Sequence, residues 1–285
     1  MRIVIAADIF PPVGGGPAIY AAGFSNALIE NGDEATVVSL TPNSDTSVTK
    51  AQVVSVKQTN KVFKYLAYLG LLFKYAREVE VVYAMGPVNA GLPALLVARL
   101  LGKKFVVKVV GDYAWEQSFQ RFGVTELIDE FQTKKYKGAT RRLQIVQKFV
   151  ARSADVVIVP SEYLKKLVIG WDVLADRLQV IYNAVEFTKV SESVAKNPEE
   201  IWILTGPRLV PWKGIKALIS VLRKISLDFP SVRLKIFGDG PERANYEAYA
   251  KTLGVTDKVE FLGFIPNTKV LGYMQQSEIF ILNSG

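Results

Sequence analysis

Three loops carry the residue types that could do chemistry. Asp8-Ile9-Phe10-Pro11-Pro12-Val13-Gly14-Gly15-Gly16-Pro17 stands between an apolar β-branched run and an alanine-rich segment. Its glycines let the backbone approach a ligand closely. A helix beginning there would offer free N–H groups and the positive end of its dipole, an arrangement that favours a phosphate. The same residues also make a plain strand-to-helix turn. Arg208-Leu209-Val210-Pro211-Trp212-Lys213-Gly214 places one cation after an apolar run and a second just before an amphipathic one. Two fixed positive charges at a helix N-terminus suit a diphosphate, which arginine can engage bidentately. Solvated loop cations are the competing reading. In Gly238-Asp239-Gly240-Pro241, Asp239 reads as a turn or cap residue and Gly238 as a point where a nucleotide can approach.

Positioning these loops requires strands that end where they begin. Short β-branched runs alternate with longer helical stretches, the pattern of a parallel sheet covered by helices. Strands are predicted at 3–7, 36–40, 52–56, 80–84, 104–110, 155–159 and 178–182. Helices are predicted at 18–30, 61–77, 87–101, 141–152 and 163–168. Glu186 to Glu200, rich in Ser, Lys and Glu, reads as a linker. The alternation then restarts, with strands at 201–205, 233–237, 258–262 and 278–282 and helices at 215–227, 243–253 and 269–275. The expected architecture is α/β: two Rossmann-like, doubly wound domains, 1–185 and 201–285, facing a ligand cleft. Ile279-Phe280-Ile281-Leu282 reads as a buried strand, which leaves the second domain incomplete and suggests that a longer natural chain continues beyond Gly285.

Composition removes whole classes of mechanism. The chain of 285 residues has no cysteine and no histidine. That excludes disulfide scaffolds, thiol nucleophiles, Ser-His-Asp triads, histidine bases and the common zinc sites. The dinucleotide fingerprint G-x-G-x-x-G fails because Ile19 stands where its third glycine belongs, which disfavours an oxidoreductase, and no Walker Gly-Lys-Ser/Thr follows the first loop.

Phe10-Pro11-Pro12 with Gly15-Gly16, Arg208 to Gly214, and Phe237-Gly238-Asp239-Gly240-Pro241 together resemble family 4 glycosyltransferases of the GT-B fold. The likeness continues through Ser161-Glu162-Tyr163, Val180-Ile181-Tyr182-Asn183-Ala184-Val185 and Val259-Glu260-Phe261-Leu262-Gly263. The resemblance implies transfer of a sugar from a nucleotide-sugar donor with retention of configuration. It also implies that Arg208 and Lys213 hold the leaving diphosphate and that Gly15 and Gly16 approach the same phosphates. Gly263-Phe264-Ile265-Pro266 aligns with the loop that contacts the base. Fixed cations and amides would stabilise the leaving group's developing charge, so no metal or other cofactor is expected, and no D-x-D motif occurs. Two departures stand out. The family's E-x(7)-E motif would begin where the sequence ends, at Asn283-Ser284-Gly285, and no histidine follows the 104–110 strand. Asp112, in Val110-Gly111-Asp112-Tyr113-Ala114-Trp115-Glu116, is either a polar positioning group near the donor sugar or a helix N-cap. A non-catalytic binding protein of the same fold is the rival reading.

The net charge of +8 is concentrated, since residues 51–150 hold 16 Lys/Arg against 7 Asp/Glu. An anionic partner is implied, and no nucleic-acid recognition motif accompanies the charge. Lys57, Lys61, Lys64 and Lys74 flank Phe63, Tyr65, Leu66, Tyr68, Leu69, Leu71, Leu72 and Phe73, and Lys134, Lys135, Lys137, Arg141, Arg142 and Lys148 form a second cluster. Such segments lie in membrane interfaces or, alternatively, form a core backed by a solvated face. No signal peptide or bilayer-spanning run is found. The sequence thus reads as cytoplasmic, and it allows a peripheral place on the inner membrane face and an acceptor that the residues do not identify.

Overall fold

Side chains alternate across the first strand as a two-sided parallel sheet requires, and this alternation sets the layers. Val4 and Ala6 enter one buried cluster, while Ile3, Ile5 and Ala7 enter another on the opposite face. The computed structural model describes residues 1–184 and 192–283. The chain divides into two units, Met1–Ala184 and Val185–Gly285.

In the first unit the strands are β1 Arg2–Ala7, β2 Glu34–Ser39, β3 Gln52–Ser55, β4 Val81–Ala84, β5 Lys104–Lys108, β6 Val156–Val159 and β7 Leu178–Val180. They form one parallel seven-stranded sheet in the order β3-β2-β1-β4-β5-β6-β7. The helices are α1 Gly16–Glu30, α2 Lys61–Ala76, α3 Gly91–Leu100, α4 Tyr113–Arg121, α5 Ile128–Thr133, α6 Gly138–Ser153 and α7 Glu162–Ile169. Ala21 and Ala22 of α1 pack on one sheet face. Tyr68 and Leu72 of α2, Ala94 and Leu95 of α3, and Val150 and Ala151 of α6 pack on the other. The strand order reverses between β1 and β4, so the loops that leave these two neighbours diverge and open a crevice at the carboxyl edge.

In the second unit, β8 Ile201–Thr205, β9 Val232–Phe237, β10 Val259–Gly263 and β11 Ile279–Phe280 form a parallel sheet in the order β10-β9-β8-β11. Helices α8 Ile215–Ile225 and α9 Arg243–Thr252 bury Ile215, Ile219, Leu222, Tyr246 and Ala250 against Ile203, Leu234 and Ile236. On the other face Trp202 meets Tyr273 of α10 Asn267–Gln276, with ring centroids 5.7 Å apart.

Several expectations are corrected. The predicted linker 186–200 has residues 186–191 outside the described ones, and residues 192–200 are bound to the second unit. Thr268 donates to Glu192 at 2.8 Å, and Lys196 donates to the Gln276 carbonyl at 2.9 Å and pairs with Glu278. Helix α3 begins at Gly91 rather than Pro87, because residues 87–90 form a turn. The interval from 111 to 140, left without elements by its sequence, holds α4 and α5, separated by a stretch that includes the positive-φ Gly123. The buried strand expected at 279–282 is a two-residue edge strand, Ile279–Phe280, and both of its residues and the following Leu282 are exposed. Strand β5, found at Lys104–Lys108 where 104–110 was predicted, contains a fully buried lysine, Lys108. Its ammonium lies 3.6 Å from the Tyr20 ring centroid and donates to Asn183 Oδ1 at 2.9 Å. A cation over a ring face with one good acceptor is tolerable in low dielectric. The lysine thereby ties α1 to the segment leaving β7.

Candidate functional site

The second unit builds its loop cluster from close backbone contact. After β8, Gly206-Pro207-Arg208-Leu209-Val210 runs against Gly238-Asp239-Gly240, the loop that follows β9. The Leu209 N–H donates to the Asp239 carbonyl at 3.0 Å, and the Glu242 N–H donates to the Leu209 carbonyl at 3.2 Å. Buried Tyr246 of α9 donates its hydroxyl to the Val210 carbonyl at 3.1 Å. The Gly238 N–H donates to the Gly263 carbonyl at 2.7 Å, which links the third loop to the second. Side chains are excluded where these strands of backbone meet. Gly238 has φ +96°, and a Cβ on it would lie 2.6 Å from the Pro207 carbonyl oxygen. A Cβ on Gly240 would lie 2.7 Å from the Leu209 nitrogen and closer still to its carbonyl oxygen.

This packing determines where the cations stand. Leu209 and Val210 are buried while Arg208 is exposed, so the guanidinium projects from a pinned backbone. Lys213 closes a single 3-10 turn, Pro211–Lys213, immediately before Gly214 caps α8 in the left-handed conformation. No side chain caps the N-terminus of α8. Arg208, Lys213, Gly238 and Gly263 therefore share one edge of the second sheet, the carboxyl edge of β8, β9 and β10. Phe264 is exposed beside Gly263, and Ile265 is half-buried. The arrangement can hold an anion between a helix N-terminus and two cations.

In the first unit, Gly15 is the N-cap of α1 with φ +131°, a conformation that L side chains rarely adopt. Gly16 opens the helix, no side chain caps it, and Gly14 to Gly16 are exposed. Phe10 anchors the loop below: it is fully buried, and its N–H donates to Thr41 Oγ1 at 2.9 Å.

Asp112 takes the other of its two readings. It is completely buried as the N-cap of α4. Its Oδ1 accepts from the Trp115 N–H at 2.9 Å and from Gln147 Nε2 at 2.8 Å, and its Oδ2 accepts from Gln132 Nε2 at 2.8 Å. Three donors and no exposure leave this carboxylate no contact with solvent.

A cluster that sequence reasoning assigned no role lies at the switch point between β1 and β4. Asp8 follows β1 directly, and burial pushes its carboxyl above the usual range, opposed by a hydrogen bond from Asn89. Asn89 also donates to the Tyr113 hydroxyl at 2.9 Å and accepts from the Tyr65 hydroxyl at 3.1 Å. Burial likewise raises Tyr65 and Tyr113, with the Asp8 charge adding to it. These residues follow β1, β4 and β5 or sit in the first turns of the helix after β3. Their common place at strand carboxyl ends was the one available signal.

The chain is similar to known proteins over most of its length. Residues 15–184 match the family described as "Glycosyl transferase 4-like domain", and residues 186–285 match "Glycosyl transferases group 1". A stretch of 110 residues, 37% of the chain, is 32% identical to the gpi3 subunit of phosphatidylinositol N-acetylglucosaminyltransferase from Schizosaccharomyces pombe, covering 23% of that protein. A stretch of 130 residues, 45% of the chain, is 27% identical to the lipopolysaccharide core biosynthesis glycosyltransferase LpsD of Rhizobium meliloti, covering 36% of it. The matches thus span well under two thirds of either relative. Among solved structures, Anabaena Alr3699/HepE in complex with UDP and glucose superposes over 100% of the chain and 74% of its own, with a TM-score of 0.73 and 17% identity.

Proposed function

The chain belongs to the glycosyl transferase 4-like family, and from that premise we propose that it moves a sugar from a nucleotide-sugar donor to a glycan or lipid-linked acceptor with retention of configuration. The observation that supports this most is the second unit's cation loop. Arg208 and Lys213 flank a turn whose backbone is held by Gly238 and Gly240, at the N-terminus of α8. When the bond from the anomeric carbon to the diphosphate oxygen breaks, the departing diphosphate gains charge at that oxygen. Cations already in place stabilise that charge without reorganising, which lowers the barrier rather than only tightening ground-state binding. Within the first unit, the exposed glycine loop before α1 offers backbone amides of its own to an anion. Gly238, Gly263, Phe264 and Ile265 line the path of the nucleoside. No cofactor or metal enters this reading, and Asp112 acts in it as a structural cap. UDP in complex with the Anabaena protein and the core-biosynthesis role of the Rhizobium relative agree with it.

Calorimetric titration of UDP, GDP, ADP and NAD tests the proposal. One nucleoside diphosphate should bind, and Arg208→Ala with Lys213→Ala should weaken it by at least about 100-fold, since each charged hydrogen bond contributes about 1.5–3 kcal/mol. Binding that survives both substitutions would sink the assignment.

The same reading includes a cytoplasmic location, against the inner face of a membrane. Helices α2, α3 and α6 contain eight Lys/Arg and no Asp/Glu. They lie side by side on one sheet face and expose Phe63, Leu66, Leu96, Leu100, Ile145 and Phe149. Cations interleaved with exposed apolar groups suit an anionic lipid surface. Among the described residues no helix is long and apolar enough to cross a membrane. Flotation with anionic but not zwitterionic vesicles is expected, and equal behaviour with both would remove the membrane from the proposal.

A further inference from the structure

Lys108 ends β5 and is fully buried. Among the described residues it pairs with no carboxylate. An apolar side chain of the same length would fill this space without the cost of burying an ammonium, so the charge serves its contacts rather than the packing. There are two such contacts. The ammonium lies 3.6 Å from the centroid of the Tyr20 ring, where a cation–π attraction away from water is strong, and it donates to Asn183 Oδ1 at 2.9 Å. Tyr20 stands in the turn of α1 that follows Gly16. Helical side chains lean toward the N-terminus of their helix, so this ring covers the turn that begins at Gly16. The ring is braced from behind, because it stacks on Phe24 at 5.7 Å and Phe24 meets buried Tyr83 of β4 at 4.8 Å. The fully buried residues of α1 are Ala18, Ala21, Ala22 and Ser25. Side chains this small form shallow ridges and resist sliding of the helix along the sheet only weakly. Asn183 follows β7, next to Ala184, the last residue of the first unit.

Resting on the reading of the glycine loop before α1 as an anion site, we propose that Lys108 is its positioning residue. The ammonium grips the Tyr20 ring and fixes the height of the first turn of α1 on the sheet. The Gly15 and Gly16 amides are thereby held where an anion meets them without the helix having to shift. Asn183 aims the ammonium at the ring, so the chain leaving β7 takes part in the same clamp. Lys108 itself touches no anion in this arrangement. Its effect passes through Tyr20, and removing either partner has the same consequence.

Glycine amide resonances read the loop directly. The full chain, labelled with nitrogen-15 glycine, is titrated with inorganic pyrophosphate while Gly15 and Gly16 are followed, and separately with UDP while Gly238 and Gly240 are followed. Pyrophosphate should move Gly15 and Gly16 in the wild type. Lys108→Met should displace these two resonances in the free protein and weaken the pyrophosphate affinity read at them by about tenfold, the loss of one charge-assisted hydrogen bond. Tyr20→Leu should do the same, and the double variant should be no worse than either alone, because the two side chains act through one contact. Tyr20→Phe keeps the ring face and should restore wild-type affinity. Asn183 is exposed, so Asn183→Ala tests the clamp without opening the core and should weaken binding at the loop severalfold. UDP affinity read at Gly238 and Gly240 should stay unchanged in every variant. A lower urea midpoint in Lys108→Met, with Gly15 and Gly16 unmoved and pyrophosphate affinity intact, identifies a merely structural lysine and overturns the proposal. A loss in Lys108→Met that Tyr20→Leu does not share assigns the effect to charge alone and overturns it as well. If pyrophosphate leaves Gly15 and Gly16 unmoved in the wild type, the anion site fails and the positioning role with it. If UDP leaves Gly238 and Gly240 unmoved, only the donor reading of the second unit is struck, and the result at the loop stands by itself.

Discussion

Replacing Asp112 separates a structural carboxylate from a reacting one, and the size of the effect follows from its contacts. Oδ1 satisfies the Trp115 N–H and Gln147 Nε2, and Oδ2 satisfies Gln132 Nε2. The two glutamines pass the connection on: Gln147 Oε1 accepts from the Ala114 N–H at 2.9 Å, and Gln132 Oε1 accepts from Trp171 Nε1 at 3.1 Å. Asp112→Ala removes an N-cap, worth about 1 kcal/mol, and strands the buried Gln147 amide at about 1–3 kcal/mol, while half-buried Gln132 Nε2 keeps the Ile128 carbonyl at 3.1 Å. The sum is about 2–4 kcal/mol, a large fraction of the roughly 5–15 kcal/mol that holds a domain together. With a urea dependence of roughly 2 kcal/mol per molar, the unfolding midpoint should fall by roughly 1–2 M. Asp112→Asn keeps one acceptor but turns an NH2 toward Gln132 or Gln147, and should cost about 1–3 kcal/mol. Tryptophan fluorescence is the natural reporter, because Trp115 and Trp171 both belong to this network. An unshifted midpoint in Asp112→Ala would refute the argument. Wild-type stability in Asp112→Asn, with intact nucleotide binding but lost turnover, would place the carboxylate at the reacting atoms instead.

Three further outcomes are expected. Gly240→Ala forces a Cβ onto the Leu209 backbone, which costs about 1–3 kcal/mol of packing strain and should lower nucleoside diphosphate affinity by displacing Arg208, measurable by calorimetry. Tyr246→Phe leaves the buried Val210 carbonyl without its hydroxyl donor and should destabilise the second unit by about 1–2 kcal/mol, read from urea unfolding. Asp8 has a folded-state pKa above its ordinary value of 3.8, so the native state binds its proton more tightly than the unfolded chain does. Its contribution is full below that ordinary value and is lost as pH rises through the raised one. Asp8→Asn should therefore flatten this segment of the stability profile and raise the melting temperature at neutral pH.

The strands and their order of appearance were legible because each is a β-branched run bounded by loop residues, and Ile201–Thr205 is found with its predicted limits. The loops at their ends were legible for the same reason. What escaped the sequence depends on distant partners. Asp112 meets Gln132 and Gln147, residues 20 and 35 positions away, so no local pattern could decide between cap and catalyst. Asp8 and Asn89 become neighbours only because β4 pairs with β1 across the switch point. Lys108 falls inside the strand predicted at 104–110, and only Tyr20 and Asn183, distant in sequence, account for its burial. Helices α4 and α5 escaped because each is short and buries few apolar positions, Ala114 and Trp115 in α4 and Phe131 alone in α5, whereas α7, of similar length, buries Leu164, Leu167 and Val168 at helical spacing.

The glycines of the second unit make the strongest link from sequence to proposed chemistry, and they do so through rigidity more than through ligand approach. A cation stabilises developing charge efficiently only when it need not move to meet it. Arginine side chains on free loops lose that advantage to entropy and solvation. Here Gly238 and Gly240 let two loops touch backbone to backbone. Leu209 is then hydrogen-bonded through both its N–H and its carbonyl, and Tyr246 secures the next carbonyl from the core side. The backbone that bears Arg208 is thereby tied to β9 and α9, both part of the unit's apolar core. Any side chain at Gly240 would act on Arg208 without touching a ligand. Affinity for the diphosphate and stability of the second unit should therefore fall together in loop-glycine variants and separately in Arg208→Ala, where affinity alone should fall.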